Sequence, residues 1–448
     1  MLKIPIILQF SRRRSFMMPK IHHKSNKTDF SIMEFIVNLQ IIIRIMSKTN
    51  TLGKSARFFI CLLFLSFFLM SCEKEEVELP NQKTLFMYLP WPADMNLTKA
   101  FKTNISDLEK AISDKGLNNE KVIVFMSTSS TQATLYEITY KNGICKHDTL
   151  KNYTNPSFTT AEGIAFILSE MKSAAPALTY AMIIGGHGMG WIPVYPTPTI
   201  GIRASSTSVS SFKNYWEYEG AFHTRYFGGT TPKYQTDITT LADAIARTGI
   251  KMEYILFDNC YMSSIEVAYE LRNATNYLIA SPTEIMAYGM PYAIVGEYLF
   301  GKTNYKAVCD GFSAFYSTYD EAPYGTLAVT DCSELVSTAS LMREINSRYT
   351  FDTAQLNSLQ RMDGYEPSIF YDYGDYVAHL CTDEQLLLQF EEQLNRTIPY
   401  KTSTKQFYTK SKGAIPIDTY SGVTTSDPST NQKVINDKTK TSWYAATH

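Results

Sequence analysis

Two side chains in this 448-residue chain combine type and setting for nucleophilic chemistry: Cys260 and His187. Cys260 sits in Ile255-Leu-Phe-Asp-Asn-Cys-Tyr-Met-Ser-Ser-Ile-Glu266, after an apolar run and ahead of a helical pattern. A helix N-terminus carries partial positive charge, which favours a thiolate. His187 sits in Ile183-Ile-Gly-Gly-His-Gly-Met-Gly-Trp191, directly after another apolar run and ringed by four glycines. Glycine lets the backbone approach a ligand closely, and an N–H freed there can donate to a developing oxyanion. Either motif alone has an ordinary explanation, a buried cysteine or a structural histidine. Together they place a nucleophile and a base at the ends of two strands, which fits covalent catalysis.

Asp258 adds a specificity element. Residues two apart in an extended strand face the same side, so its carboxylate is expected on the thiol side of the sheet edge. There it would pair with a Lys or, better, an Arg side chain, whose planar fork binds a carboxylate bidentately. Glu284 is a second candidate for that pocket. No HExxH, CxxC, Walker-type loop or Gly-x-Ser-x-Gly occurs in the sequence, which leaves metalloprotease, nucleotide-binding and serine-elbow readings without support. Asp372, Asp375 and His379 could ligate a metal, but they read more readily as a solvated helix face.

The elements that must position these residues follow from periodicity. Apolar runs predict strands at Thr84–Leu89, Lys121–Met126, Tyr180–Ile184, Tyr254–Phe257 and Tyr277–Ala280. Helical spacing predicts helices over Leu97–Lys115, Thr160–Ser173, Ile238–Thr248 and Met262–Arg272. Residues 133–140 alternate and should pair with a strand near Cys145. Strands alternating with helices imply an α/β fold, a mainly parallel sheet covered on both faces. In such sheets a site gathers at the carboxyl ends of the strands. Residues 192–236 interrupt the alternation and read as a functional insertion. After Pro291 the pattern is helix, strand, helix, ending in Ser- and Thr-rich turns around a weak strand at Gly413–Ile417.

The His-Gly motif, and Asp-x-Cys-x-Met-Ser-Ser-x-Glu-Val-Ala-Tyr-Glu-Leu from Asp258 to Leu271, resemble clostripain and related caspase-like peptidases. Tyr277-Leu-Ile-Ala-Ser281 with Glu284, then Gly289-Met-Pro-Tyr292, extend the likeness, which runs loosely from Thr84 to Trp443-Tyr444. The resemblance implies a caspase-like fold with insertions and a C-terminal extension. It implies a His187–Cys260 dyad, hydrolysis through a thioester, and Asp258 lining the pocket for a basic P1 side chain. The N–H groups of Gly188 and Cys260 are the candidates for the oxyanion hole. The resemblance also implies self-cleavage between His187 and Cys260 after a basic residue: Arg203 first, then Lys213, Arg225 or Lys233. No organic cofactor is implied; calcium activation belongs to the family, but no ligands are identified here. Two departures, Asn259 beside the nucleophile and Met290 where an aromatic is usual, bear on the substrate pocket. The rival reading is a surface lipoprotein that binds protein or glycan and has lost catalysis.

A net charge of -1 offers no nucleic-acid footprint. The seven cysteines, widely spaced, form no disulfide framework. Lys48, Lys54 and Arg57 precede an apolar segment, Phe58–Met70, that is short for a membrane span and reads as a signal peptide. Leu69-Met-Ser-Cys72 resembles a bacterial lipobox, making Cys72 the acylated residue. Residues 46–71 are then the signal, 72–83 the tether, 84–448 the peptidase domain, and 1–45 a gene-model extension ahead of a start at Met46. The acidic run Glu73–Glu76 resembles an export tag, so an exported lipoprotein of the outer membrane and cell surface is expected. Cys72→Ser should release the protein from membranes, because the lipid attaches only through that sulfur. A variant that still fractionates with membranes and incorporates labelled fatty acid would refute the lipobox.

Overall fold

The computed structural model describes residues 81–194 and 228–448, all within the compact unit Leu79–His448. Strand β1 (Asn81–Leu89) leads to α1 (Met95–Lys115) and β2 (Lys121–Ser127). A hairpin of β3 (Gln132–Lys141) and β4 (Ile144–Thr154) follows, then α2 (Ala161–Ala174) and β5 (Ala177–Gly185). Next come α3 (Ile238–Arg247), β6 (Met252–Asp258), α4 (Ile265–Leu271) and β7 (Thr275–Ala280). The chain continues through α5 (Tyr292–Val295), α6 (Tyr305–Thr318), β8 (Thr326–Asp331) and α7 (Leu335–Arg348). The C-terminal part adds β9 (Tyr371–Asp372), α8 (Tyr373–Leu380), α9 (Glu384–Thr397) and β10 (Tyr400–Ser403). It ends with β11 (Gln406–Thr409), β12 (Gly413–Pro416), β13 (Thr424–Thr425), α10 (Gln432–Asp437) and α11 (Ser442–Thr447).

Among the described residues, nine strands form one sheet in the order β10-β8-β7-β6-β5-β1-β2-β3-β4. The run β7-β6-β5-β1-β2 is parallel, and antiparallel strands extend both edges. The α/β reading therefore holds, and so does the hairpin, with Tyr140 opposite Cys145. Each central strand is buried on both faces. On β6, Ile255 and Phe257 join one core layer with α2, α3, α4 and α7. Tyr254 and Leu256 join the other with α1, α5 and α6.

Several boundaries differ from those the apolar pattern predicts. β1 begins at Asn81, since Lys83 is buried and its ammonium is held by Glu253 at 3.0 Å and by the Gly301 carbonyl at 2.7 Å. The helix expected from Met262 starts at Ile265 instead. The chain first crosses the end of β7, with Tyr261 N–H donating to Thr283 O and Ser263 N–H to Ser281 O. The Ser- and Thr-rich tail is not only turns: Asn431 and Thr441 cap α10 and α11. Cap residues and turn residues share one chemistry, short polar side chains that bond nearby N–H groups. Asp372 and Asp375 serve local structure. Asp372 caps α8 and also accepts from Ser421, while His379 contacts Asp375 on its own helix. Among the described residues no group of three or more His, Cys, Asp or Glu could hold a metal, and no helix is long and apolar enough to cross a membrane. Cys72, the signal segment and the stretch 195–227 lie outside the described residues.

The tail is fastened to the nucleophile-side helix by a buried carboxylate. Glu266 on α4 accepts from Ser426 N–H at 2.7 Å and from the Thr425 hydroxyl at 3.2 Å. Burial, then the nearby Asp427 charge, pushes its carboxyl up from 4.5 to about 7. A raised folded pKa means the folded state binds more protons than the unfolded chain above about pH 4.5. Stability from this group is present below that value and is lost as pH rises through about 7. Wild type should melt several degrees lower at pH 8 than at pH 5, and Glu266→Gln, a mimic of the protonated acid, should flatten that slope. Parallel melting curves for the two proteins would show that Glu266 does not titrate in this window.

Candidate active site

β5 and β6 are adjacent and parallel, with Ile184 opposite Phe257 and Gly185 opposite Asp258. His187 and Cys260 each stand two residues past that last pair, so the two residues leave the sheet at the same level. A cross-link fixes the arrangement: Asn259 Nδ2 donates to the His187 carbonyl at 3.0 Å, and Asn259 is fully buried. Gly186 eases this contact, because a Cβ would come to 3.0 Å from Asn259 Nδ2 and from the Gly228 backbone nitrogen. From the opposite side His187 N–H donates to Gly228 O at 3.1 Å. Asn259, singled out in the sequence as a departure, thus ties the strand ends together.

The sulfur environment differs from the helix-terminus expectation. With α4 starting at Ile265, its dipole, which fades within one turn, does not act at Cys260. The sulfur instead accepts from Ile285 N–H, among its contacts, at 3.3 Å. It comes from the loop after β7 and favours negative charge on sulfur. Cys260 is fully buried, and Tyr261 follows it at φ +61. That left-handed backbone costs roughly 1–2 kcal/mol for a non-glycine residue. The surroundings hold it: Tyr261 stacks on Phe370 at 5.0 Å, and its hydroxyl donates to Glu284 at 2.8 Å.

Alternation does not relate Asp258 to the thiol, because the strand ends at Asp258 and the chain turns. Asp258 faces the layer of Met290 and Tyr292, accepting from Met290 N–H at 3.1 Å and the Tyr292 hydroxyl at 3.3 Å. Cys260 packs with the opposite layer. Glu284 bridges the Tyr261 hydroxyl and the Lys410 N–H, linking the nucleophile turn to the end of β11. Gly188 is buried beside His187. Lys233 is exposed in a short turn, its ammonium over the Tyr234 ring at 4.6 Å. Arg203, Lys213 and Arg225 lie outside the described residues.

The structure brings in one residue that the sequence reading left out. Asp94 caps α1 with one oxygen, accepting from Asn96 N–H at 2.8 Å and Leu97 N–H at 3.3 Å. Its other oxygen lies 3.6 Å from His187 Nε2. The His187 ring, with help from the Leu97 and Asn96 N–H groups, lowers the Asp94 carboxyl to about 2 against the cost of burial. An acid before a helix reads as a cap; the signal that it is more is its place after the strand that neighbours β5.

The profile of the clostripain family matches residues 214–435. A secreted C11 cysteine protease from Bacteroides thetaiotaomicron is 55% identical, spans 83% of this chain and 100% of its own, and superposes with a TM-score of 0.74. A clostripain from Bacteroides thetaiotaomicron, solved with a peptide inhibitor, is 61% identical over 50% of this chain and 99% of its own, with a TM-score of 0.49. An inactive zymogen C11 protease from Parabacteroides distasonis shares the fold at 23% identity, covering 83% of this chain and 99% of its own, with a TM-score of 0.67. No curated protein sequence matches. A caspase-like sheet that carries a cysteine and a histidine at neighbouring strand ends, matched along its length by a cysteine protease, places this chain in the clostripain family of cysteine peptidases.

Proposed function

We propose that the enzyme cleaves peptide bonds after basic residues, Arg over Lys, with Cys260 as nucleophile and His187 as its proton carrier. The observation that carries this reading is the in-register ending of β5 and β6, Gly185 opposite Asp258, with each reactive residue two positions beyond. The Cys260 sulfur attacks the scissile carbonyl carbon and His187 takes the thiol proton. The tetrahedral intermediate collapses as the C–N bond breaks, and His187 passes that proton to the leaving amine. Water then attacks the thioester, His187 accepts its proton, and the C–S bond breaks to regenerate the thiol. N–H groups of Gly188 and Cys260 serve the oxyanion.

Asp258 reads the P1 cation. Its carboxylate is buried two residues before the nucleophile and accepts from Met290 N–H and the Tyr292 hydroxyl. Glu284 is the weaker candidate, since its oxygens hold Tyr261 and the Lys410 backbone. Export and anchoring through acylated Cys72 complete the reading. The 55% identical relative is described as secreted, and several acyl chains at about 0.8 kcal/mol per buried methylene would anchor firmly. Self-cleavage after Arg203, Lys213, Arg225 or Lys233 would leave His187 and Cys260 on two fragments held by one sheet.

Cys260→Ala should abolish hydrolysis of Arg and Lys fluorogenic peptides while leaving the fold intact, and should run as one band where wild type runs as two. Activity within tenfold of wild type would remove Cys260 from the mechanism; a fully active single-chain wild type would remove self-cleavage. Asp258→Asn should erase the preference for Arg over neutral P1 residues, a loss of about 2–5 kcal/mol for a buried charged pair. An unchanged preference would pass the P1 role to Glu284.

A further inference from the structure

Chain order and sheet order part company between β1 and β5. From β1 the chain moves outward to β2, then returns to the other flank of β1 and proceeds through β5, β6 and β7. The loops leaving β1 and β5 therefore diverge, and the crevice between them is the switch point where open α/β sheets bind ligands. Asp94 stands on one wall of that crevice and His187 on the other. The walls are cross-braced, since Thr230 N–H donates to Pro92 O at 3.1 Å and His187 N–H to Gly228 O at 3.1 Å.

Backbone strain marks the same place. The described residues include six non-glycine positions with positive φ. Four are asparagines, which tolerate that conformation. The other two are Ala93, at φ 54, and Tyr261, at φ 61, the immediate neighbours of Asp94 and Cys260. Strain that the surroundings over-determine collects at functional sites. A helix cap alone does not require it.

We infer that Asp94 is the positioning residue of this site, orienting the His187 ring through Nε2 and stabilising its protonated form. The inference rests on the His187–Cys260 reading. The geometry divides the carboxylate between two tasks: one oxygen caps α1, and the other faces the imidazole at 3.6 Å. Contacts of this kind tighten when substrate binds. The carboxyl is held as an anion, lowered to about 2. A proton kept on Nε2 leaves Nδ1 as the basic nitrogen, and an anion behind the ring favours the imidazolium that forms when the thiol gives up its proton.

The test separates capping from positioning. Asn and Ser cap helices about as well as Asp, so Asp94→Asn and Asp94→Ser keep the cap and remove the charge. Both should fold with wild-type melting temperatures and lose kcat by at least about tenfold, a part of the roughly 10²–10⁴-fold that positioned proton transfer contributes, with KM unchanged. The rate of Cys260 alkylation by iodoacetamide should fall in parallel. Cys260→Ala and His187→Ala are measured alongside. If those two are inactive while Asp94→Asn and Asp94→Ser keep kcat and alkylation rate within twofold, Asp94 is only a cap and the dyad stands. Loss of kcat that merely tracks loss of folded protein in both Asp94 variants overturns the inference equally. An active Cys260→Ala would overturn the dyad reading and the role of Asp94 with it.

Discussion

Two parallel strands that end level with one another set where His187 and Cys260 stand in this molecule. β5 and β6 are buried on both faces, so neither can slide without moving a whole row of side chains out of its layer. Their register fixes where His187 and Cys260 leave the sheet. One residue beyond the pairing, hydrogen bonding passes from backbone to side chain, from Asn259 to the His187 carbonyl. A buried carbonyl left without a donor costs about 1–3 kcal/mol, which makes that amide part of the frame and not a bystander. Gly186 eases the same bond, since it puts no side chain into that space.

The nucleophile turn depends on parts of the chain far away in sequence. Tyr261 is held by Glu284 and by the ring of Phe370, and Gly190, at φ +60, leaves room for Phe370 and the Tyr261 carbonyl. Phe370 belongs to a loop organised by buried Asp363, which accepts from Tyr365, Ile369 and Phe370 N–H groups and from the Ser368 hydroxyl. Burial raises the Asp363 carboxyl to about 6 in spite of those donors. Ionisable groups buried in this way cost stability. What they supply here is a defined path for loops that have no regular ladder to hold them.

The sequence was most legible where one physical signal dominated. Val122–Met126, Ala181–Ile184 and Tyr254–Phe257 are continuous apolar runs, and a strand buried on both faces has no other way to be written. That His187 and Cys260 end neighbouring strands was legible because each stands three residues after such a run. Misreadings arose where a rule was carried past the element that justifies it. Alternation was extended through Asp258 to Cys260, although the strand had ended; a helix was extended back to Met262, although Ser264 is its cap. Asp94 was hidden for the opposite reason. Its local role as a cap accounts for its type, and nothing nearby in sequence indicates that β1 will lie against β5.

That hidden residue bears on the proposal that the buried Cys260 thiol is a nucleophile. Burial first, and then the charges of Glu284, Tyr365, Asp363 and Cys260, push the Tyr261 hydroxyl pKa up. Acidic neighbours suit a pocket for cationic side chains, but they oppose negative charge on sulfur. Two features of the site act the other way: the Ile285 N–H on the sulfur, and a cation on His187 once the proton has moved. The second works only if the imidazolium is stable in a nearly closed site, where desolvation disfavours it. The Asp94 carboxylate, 3.6 Å from His187 Nε2, would offset that desolvation. The sheet topology supplies this arrangement: β1 borders β5, β5 borders β6, and their ends present carboxylate, imidazole and thiol in that order.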